Sequence, residues 1–260
     1  NKKTMTPEQL AKWNAAFAKE NREFAKANLK GKARIRAKYQ RYIKNYLRCI
    51  AGVDESVGAL MKHLKETGLD KNTIVIYSSD QGFYLGDHGW YDKRWMYDES
   101  MMMPLIIKWP GVTQPGTVNR DLVQNLDYAP TFLQWAGADI PKAMQGQSLV
   151  PLLQGKTPTN WRTHLYYHYY GFPAVHMVAK HLGIRGQRYK LIRFYQMDEW
   201  EFYDLKTDPD EITNQYKNPK YAKIIAEQKK KLVQLQTQYG DKSNIRTMPE
   251  SWQKKYRKQP

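Results

Sequence analysis

Between about residues 36 and 66, apolar side chains recur at three- and four-residue spacing, and a β-branched run follows after a five-residue loop. The spacing predicts a long helix, which Gly68 would end because glycine readily adopts the left-handed conformation at a helix C-terminus. The run at residues 73–77, TIVIY, predicts a strand with few polar positions, as found in sheets covered on both faces. Helix, short loop and strand in this order indicate an α/β protein.

Positive charge is concentrated towards the two ends of the chain. The 260 residues carry a net charge of +17, of which residues 1–48 account for +11 and residues 217–260 for +9, whereas the middle is slightly acidic. Such flanks are typical of solvated helical surfaces, or they offer a docking surface to an anionic polymer. No apolar run reaches the ~20 residues that cross a bilayer, and no nucleic-acid-binding signature is present. We therefore expect neither a membrane nor nucleic acid as a partner.

Two further helices are marked by their terminal residues. Thr6, Pro7 and Gln9 have the arrangement of a capped helix start, with proline at the first helical position. Asp127 precedes the segment YAPTFLQWAG, for which it is a candidate cap, and Gly137 would close that helix.

The character of the sequence changes after about residue 161. Before that point, residues 104–111 (PLIIKWPG) predict a second strand ended by a Pro-Gly turn. After it, short aromatic-rich alternating segments predict an antiparallel meander, and residues 219–239 predict a final helix. We therefore divide the chain into a larger α/β part, 1–158, and a small α+β part, 159–260.

A polar, glycine-rich segment, SSDQGFYLGDHG, directly follows the strand predicted at residues 73–77. In open α/β sheets, ligands bind beyond the carboxyl ends of strands, and Asp80 and Gln81 lie at that place. Their oxygens suit Ca²⁺ or Mg²⁺ rather than a thiophilic metal, although two donors need further ligands from elsewhere. On spacing alone, an Asp that caps a turn is an equal alternative, but it does not explain why Lys93 and Arg94 follow so soon.

Residues 72–100, NTIVIYSSDQGFYLGDHGWYDKRWMYDES, followed by MPLIIKWPG, resemble the C-terminal part of the catalytic domain of type I sulfatases, within the alkaline phosphatase superfamily. LDYAPTFLQWAG and GQSLVPLLQG fit that family in the same order, and the resemblance covers about residues 46–216. It implies an α/β fold, namely the later part of a parallel sheet flanked by helices, with a small C-terminal α+β subdomain that contains an antiparallel sheet.

The resemblance also implies roles for individual side chains. Asp80 and Gln81 match two ligands of the active-site Ca²⁺, with Mg²⁺ as a possible substitute, and many family members have Asn or His where this chain has Gln81. Lys93 matches a lysine that contacts a sulfate oxygen, where a fixed cation stabilises the charge that develops during ester cleavage. His88 is a candidate proton donor to the leaving alcohol, or a histidine that fixes the glycine-rich loop.

One family feature is missing from this sequence. Sulfatases use a formylglycine nucleophile made within a Cys/Ser-x-Pro/Ala-x-Arg motif, whereas the single cysteine, Cys49, reads CIAGV and no serine begins such a motif. Cys49 lies among apolar residues of the long predicted helix, which predicts a buried thiol rather than a nucleophile. We expect the formylglycine and the first ligands to come from the N-terminal half of the same sulfatase, so that this chain is inactive alone.

Residues 166–211 are similar to bacterial sulfatases that act on glycosaminoglycans, above all N-acetylglucosamine-6-sulfatases. The resemblance implies a 6-O-sulfated N-acetylglucosamine of heparin- or heparan-type saccharides as the substrate, and a periplasmic or extracellular location. His176 and His181 are candidates for hydrogen bonds to the sugar, and Arg185 or Arg188 for a carboxylate or sulfate beside it. Alternatively, the aromatic and histidine side chains of this segment fill a small core.

Other classes of function remain open at this point. A non-catalytic module that binds sulfated glycans would use Lys93 and the basic flanks without a nucleophile. A phosphodiesterase or phosphonate hydrolase of the same superfamily would share the metal geometry. A nucleic-acid stacking platform at residues 166–194 is the weakest alternative.

Overall fold

The computed structural model describes residues 2–243 and 246–257, and it divides into two compact units, one up to Leu69 and one from Asp70 onward. The first unit contains two helices, α1 (Pro7–Lys26) and α2 (Gly31–Glu66). The start of α1 is confirmed, because Thr6 accepts a hydrogen bond from the Gln9 backbone and the Gln9 side chain accepts one from the Thr6 backbone. Gly68, with a φ of 70°, follows the end of α2 as predicted.

The apolar stripe of α2 is largely exposed. Leu64 is its one buried residue among those described, whereas Leu47, Ile50 and Leu60 are about half exposed. Cys49 is also exposed, so the prediction of a buried thiol is wrong. The stripe has the helical period of a buried face, but the first unit provides too few apolar partners to cover a helix of 36 residues.

The second unit contains two antiparallel sheets and several short helices. Its helices and strands are β1 (Val75–Ser78), α3 (Asp98–Met101), β2 (Leu105–Lys108), α4 (Tyr128–Trp135), α5 (Val150–Leu153), β3 (His164–Tyr169), β4 (His181–Gly186), β5 (Tyr189–Phe194), β6 (Glu199–Asp204), α6 (Ala222–Gln238) and α7 (Glu250–Arg257). Within the part of the chain that the structure describes, no helix is both long and apolar enough to cross a membrane.

The first sheet consists of β1 and β2, which pair antiparallel with Ser78 opposite Leu105. The expected parallel pairing is therefore wrong for these two strands. Leu105 and Ile107 point to one face and pack against Leu149, Leu152 and Trp161. On the other face Ile106 is 65% exposed, because no described strand or helix covers it.

The predicted meander is confirmed as a four-stranded antiparallel sheet in the order β3-β4-β5-β6, and both of its faces are covered. Leu182 and Ile184 on one face pack against Ile225 and Leu232 of α6. The opposite face packs against the loop that follows β1, through a cluster of aromatic and apolar side chains: Tyr84, Met96, Tyr97, Ile192, Phe194 and Tyr203. The boundary predicted between 158 and 159 lies within the second unit, and this cluster contains residues from both sides of it.

Asp127 differs from its predicted role. Helix α4 starts directly after it, but its side chain does not cap that helix. The carboxylate is fully buried, pairs with both terminal nitrogens of Arg162 and accepts a hydrogen bond from the Gln147 backbone at 2.8 Å. A buried carboxylate with these partners ties the segment before α5 to the segment before β3.

Candidate active site

The polar loop after β1 begins with a close backbone approach to α3. The Gly82 amide donates to the Ser100 carbonyl at 2.9 Å, and a Cβ atom at position 82 would overlap the carbonyl oxygens of Glu99 and Met102. Only glycine fits there. The loop therefore turns over α3 immediately after Asp80 and Gln81.

Asp80 and Lys93 lie together at the tip of this loop. Lys93 Nζ is 3.2 Å from Asp80 Oδ2, with the Asp80 side chain 81% and the Lys93 side chain 37% exposed. Hydrogen bonding and charge from Lys93 lower the pKa of Asp80, so the carboxylate is ionised at neutral pH. A carboxylate and an ammonium group are thus available at one solvent-accessible point past a strand end.

The amide of Gln81 has a fixed orientation. Its Nε2 donates to the Lys93 carbonyl and to Ser100 Oγ at 3.1 Å, while Ser100 Oγ donates to the same Lys93 carbonyl at 2.7 Å. Ser100 is buried. Because both hydrogen bonds use the amide nitrogen, Gln81 Oε1 is the atom that remains for a cation or ligand.

The loop that carries Lys93 is anchored on the meander. The Tyr84 amide donates to the Asp92 carbonyl at 2.8 Å, and the Tyr84 hydroxyl donates to the Trp95 carbonyl at 2.9 Å. From β3, the Tyr167 hydroxyl donates to the Arg94 carbonyl at 3.1 Å. These contacts fix the backbone on both sides of Lys93.

The contacts of His88 fit the loop-fixing alternative. Its ring stacks on Tyr97 at 4.6 Å between centroids, and Nε2 lies 3.4 Å from Glu99 Oε2, close enough for an ion pair but without hydrogen-bond geometry. His88 has a φ of 53°, the left-handed conformation that side chains other than glycine rarely adopt. Among the described residues its contacts are with Glu99 and aromatic rings rather than with Asp80 or Lys93, and its role as a proton donor stays a prediction.

His181 cannot bind a sugar in this structure, so this prediction is wrong. The side chain is completely buried and stacks with Trp95, Tyr167 and Tyr169. Its Nδ1 hydrogen-bonds the Ala179 carbonyl at 2.8 Å. Burial lowers its pKa to about 4, so the ring is neutral and serves as core.

Arg185 and Arg188 are also engaged within the protein. Arg185 donates to both carboxylate oxygens of Asp98, at 2.9 and 3.4 Å, and is largely buried. Arg188 makes two hydrogen bonds to Asp204, at 2.8 and 2.7 Å. Both guanidinium groups are occupied by carboxylates of this chain, so neither arginine is available to a substrate in this conformation.

His176 has the solvent exposure that a role in sugar binding requires. It is exposed, in the segment between β3 and β4. Its role in sugar binding stays a prediction.

A buried charge cluster that sequence reasoning missed holds α3 in place. Lys190, fully buried on β5, contacts Asp98 at 2.6 Å and Glu211 at 2.8 Å, and Glu211 also accepts from the Asp98 backbone at 2.7 Å. Burial raises the pKa of Glu211 to about 7, whereas burial of Asp98 is outweighed by Lys190 and Arg185, which lower its pKa. The sequence YKLIRF of β5 does not predict a buried lysine, because alternation alone does not show that both faces of a strand are covered.

The described residues include no group of three or more His, Cys, Asp or Glu side chains that could hold a metal ion. Asp80 and Gln81 nevertheless fit as two members of an oxygen ligand set, since one oxygen is ionised and exposed and the other is freed by the orientation of its amide.

The family described as Sulfatase matches residues 7–138, just over half of the chain, and the family described as N-sulphoglucosamine sulphohydrolase, C-terminal, matches residues 86–238. The chain belongs to the sulfatase family. The second match covers the meander and all of α6, so the two matches together extend from residue 7 to residue 238.

Individual relatives agree with this assignment. The chain is 48% identical over 242 residues to an N-acetylglucosamine-6-O-sulfatase of Bacteroides thetaiotaomicron, which covers 92% of this chain and 43% of that protein. It is 31% identical to the multifunctional alkaline phosphatase superfamily protein PehA of Trinickia caryophylli, covering 76% and 41%. A solved structure of BT4656 with its substrate D-glucosamine-2-N,6-O-disulfate superposes with a TM-score of 0.86 and 47% identity, covering 93% and 50%.

The predicted fold class is confirmed, since the structure combines helices with antiparallel sheets and its neighbours are sulfatases of the alkaline phosphatase fold. The chain spans about half, or less, of the length of the relatives that it matches.

Proposed function

We propose that this chain forms part of a sulfuric ester hydrolase that removes the 6-O-sulfate from N-acetylglucosamine units of heparin- or heparan-type glycosaminoglycans. The observation that carries the proposal is the 3.2 Å approach of Lys93 Nζ to Asp80 Oδ2 directly past β1. The 48% identity to an N-acetylglucosamine-6-O-sulfatase supports the choice of substrate.

Asp80 and Gln81 are the residues of this chain that would hold Ca²⁺, or Mg²⁺ in its place. The bound cation would supply polarisation of the sulfate oxygens. The support is the donor chemistry: an ionised carboxylate and an amide oxygen whose orientation is set by Ser100 and the Lys93 carbonyl. Hard oxygen donors are the ligands that these cations prefer.

Lys93 would bind a sulfate oxygen and stabilise the negative charge that grows on the ester during cleavage. A fixed cation is most effective when its backbone does not have to reorganise during the reaction. The hydrogen bonds to the carbonyls of Lys93 and Arg94 support such a fixed position. The side chain itself is exposed enough to meet a substrate.

We further propose that the formylglycine nucleophile and the remaining ligands come from the N-terminal half of the same sulfatase. The chain corresponds to 43% of the length of its relative from Bacteroides, and its 260 residues contain no formylglycine motif. The exposed apolar side chains of Ile106 and of α2 offer surfaces for a further part of the protein. The chain by itself is then inactive.

The test measures sulfate release from N-acetylglucosamine-6-sulfate by the complete protein and by this chain alone. We expect release by the complete protein only, and none from glucosamine that carries only an N-sulfate. Faster turnover of a phosphonate monoester would identify a phosphonate hydrolase instead. Binding of the sulfated sugar without any turnover by the complete protein would identify a binding module.

A periplasmic or extracellular location is part of the proposal, because glycosaminoglycans are polymers found outside the cytoplasm. Osmotic-shock fractionation of cells that express the complete protein tests it. Recovery of the protein with cytoplasmic markers would contradict it.

A further inference from the structure

Two adjoining cavities lie in the second unit, bordered by β3, the segment before α5 and the end of α6. Their volumes are about 550 and about 210 Å³, and Gln145 and Tyr239 line both of them. Gln145 Nε2 donates to the Tyr239 carbonyl at 3.2 Å, so the shared edge is held in place. We call the pair of cavities the polar cleft. It shares no lining residue with the loop that carries Asp80 and Lys93.

The larger cavity offers flat aromatic surfaces. Tyr166, Tyr170 and Tyr239 line it, and Tyr166 stacks on Tyr239 with 6.0 Å between ring centroids. Tyr170 is 55% exposed. Tyrosines that combine an apolar ring face with a hydroxyl suit a ligand with both C–H and O–H groups.

The smaller cavity contains a buried acceptor that lacks a donor. Gln147 Oε1 has no hydrogen-bond partner among the described residues. The backbone amide of the same residue donates a hydrogen bond to the Asp127 carboxylate. Asn160 and Gln238 add two more amides to the lining. Because a buried acceptor without a partner is costly, a hydroxyl donor from a ligand would be favourable here.

The charge available in the polar cleft is positive. Lys231 lines the smaller cavity and has no ion-pair partner within the described ranges 2–243 and 246–257. Burial and the nearby Lys231 lower the pKa of His164, which is therefore neutral, and Arg162 is neutralised by Asp127.

The one carboxylate of the larger cavity is already occupied. Asp241 accepts hydrogen bonds from the Tyr166 hydroxyl and from the Ser243 amide at 2.9 Å, and it pairs with His168 Nδ1 at 2.6 Å. Lys242 also lines this cavity. An anionic ligand in the polar cleft therefore meets the unpaired ammonium group of Lys231, while the carboxylate of Asp241 is already compensated by its own partners.

We propose that the polar cleft is a second saccharide-binding site, in which the tyrosine-lined cavity holds a sugar ring and Lys231 contacts a carboxylate or sulfate of the same glycan. The choice of a glycan rests on the proposed function, whereas the positive charge and the unpaired Gln147 oxygen do not.

The test is calorimetric titration of a heparin-derived disaccharide that carries one uronate and one 6-sulfate into the protein. Lys93→Ala is the starting background, because it removes the contact proposed for the catalytic site. In that background, Lys231→Ala is expected to weaken binding about tenfold, as for a lost hydrogen bond to a charged group, and Tyr170→Ala is expected to weaken it as well. Lys230→Ala, an exposed lysine on the same helix, is the matched control and should leave the dissociation constant unchanged.

Several outcomes would overturn the cleft proposal. The first is the loss of all binding in Lys93→Ala alone. The second is equal affinity of the Lys231→Ala and Lys230→Ala proteins, and the third is competition by inorganic sulfate as effective as that by the disaccharide. If the 6-desulfated disaccharide loses the Lys231 effect, then Lys231 holds the sulfate, and if it keeps the effect, Lys231 holds the uronate. Binding that depends on Lys231 in a protein without sulfatase activity would refute the proposed function and leave the polar cleft standing.

Discussion

Lys93 combines a solvent-accessible charged end with a fixed backbone. Its carbonyl accepts hydrogen bonds from Gln81 and Ser100, while its ammonium group lies 3.2 Å from Asp80 in a solvent-accessible place. Lys93→Ala in the complete sulfatase should lower kcat/KM by about 10²-fold or more, as for the loss of a preorganised charge. Lys156→Ala, at an exposed site, is the control. Unchanged kinetics of Lys93→Ala would exclude Lys93 from the catalytic site.

Ser100 is expected to position two groups of the site without touching the substrate. Ser100→Ala removes the hydrogen bond to the Lys93 carbonyl and one of the two acceptors of Gln81 Nε2, so only the Lys93 carbonyl then orients the Gln81 amide. We expect the affinity of the complete protein for Ca²⁺ to fall about fivefold, since one buried hydrogen bond is worth about 1 kcal/mol. Calcium titration measures this, with Ser56→Ala on α2 as the matched control. Equal affinities of the two variants would show that Ser100 has no positioning role.

Sequence reasoning placed Asp80 and Lys93 together but failed for His181 and Arg185. The first pair follows from a strand end and a family pattern, both of which are local. His181 and Arg185 lie on the face of β4 that Trp95 and α3 cover, and that cover comes from residues more than 80 positions earlier. Alternation in a strand identifies two faces but does not reveal which distant segment packs on each.

The anchor of α3 should make stability depend on pH through Glu211. Its carboxyl group is packed against Lys190 of β5 and the Asp98 backbone, with Arg185 of β4 on the other side of Asp98. Burial raises the pKa of Glu211 from an ordinary 4.5 to about 7. Between these values the folded protein holds a proton that the unfolded chain releases, so this group lowers the free energy of unfolding as pH rises from about 4.5 to 7.

Glu211→Gln should remove this dependence. The free energy of unfolding of the parent protein, relative to the variant, is expected to fall by up to about 1.4 kcal/mol per pH unit over that range and to level off above it. The contribution of Asp98 to the free energy of unfolding has the opposite pH dependence. Because the pKa of Asp98 is lowered, its contribution is lost only as the pH falls below about 3.8. Urea titrations at several pH values measure the difference, and parallel curves for the two proteins would contradict the assignment.

At the scale of helices and strands, the sequence predicted what depends on near neighbours. The Thr6–Gln9 capping box, the glycine after α2 and the four-strand meander were all read correctly. The antiparallel pairing of β1 with β2 was not, because an apolar strand has the same pattern whichever way its partner runs.

Within the second unit, the four-stranded meander supports a different part of the chain on each of its two faces. Helix α6 covers one face and the loop with Lys93 covers the other. Neighbouring residues of β5 point to opposite faces, so Leu191 packs towards α6 and Ile192 packs towards the loop. A substitution that disturbs the side facing α6 should therefore also affect the site loop. Leu191→Ala is expected to cost about 2–5 kcal/mol of stability, measured by urea unfolding. Val233→Ala, on the exposed side of α6, is the control.

The proposed calcium site predicts that this chain retains the metal poorly by itself. Asp80 and Gln81 would supply two donors, whereas Ca²⁺ takes six to eight oxygens, and the described residues contain no group of three or more His, Cys, Asp or Glu side chains that could hold a metal ion. We therefore expect the chain alone to lose calcium on dialysis and the complete sulfatase to keep it. Asp80→Ala in the complete protein should abolish retention, while Asp139→Ala, at an exposed site, should not. If elemental analysis found one calcium per molecule in the Asp80→Ala protein, Asp80 would not be a ligand, and its pairing with Lys93 would be a surface ion pair.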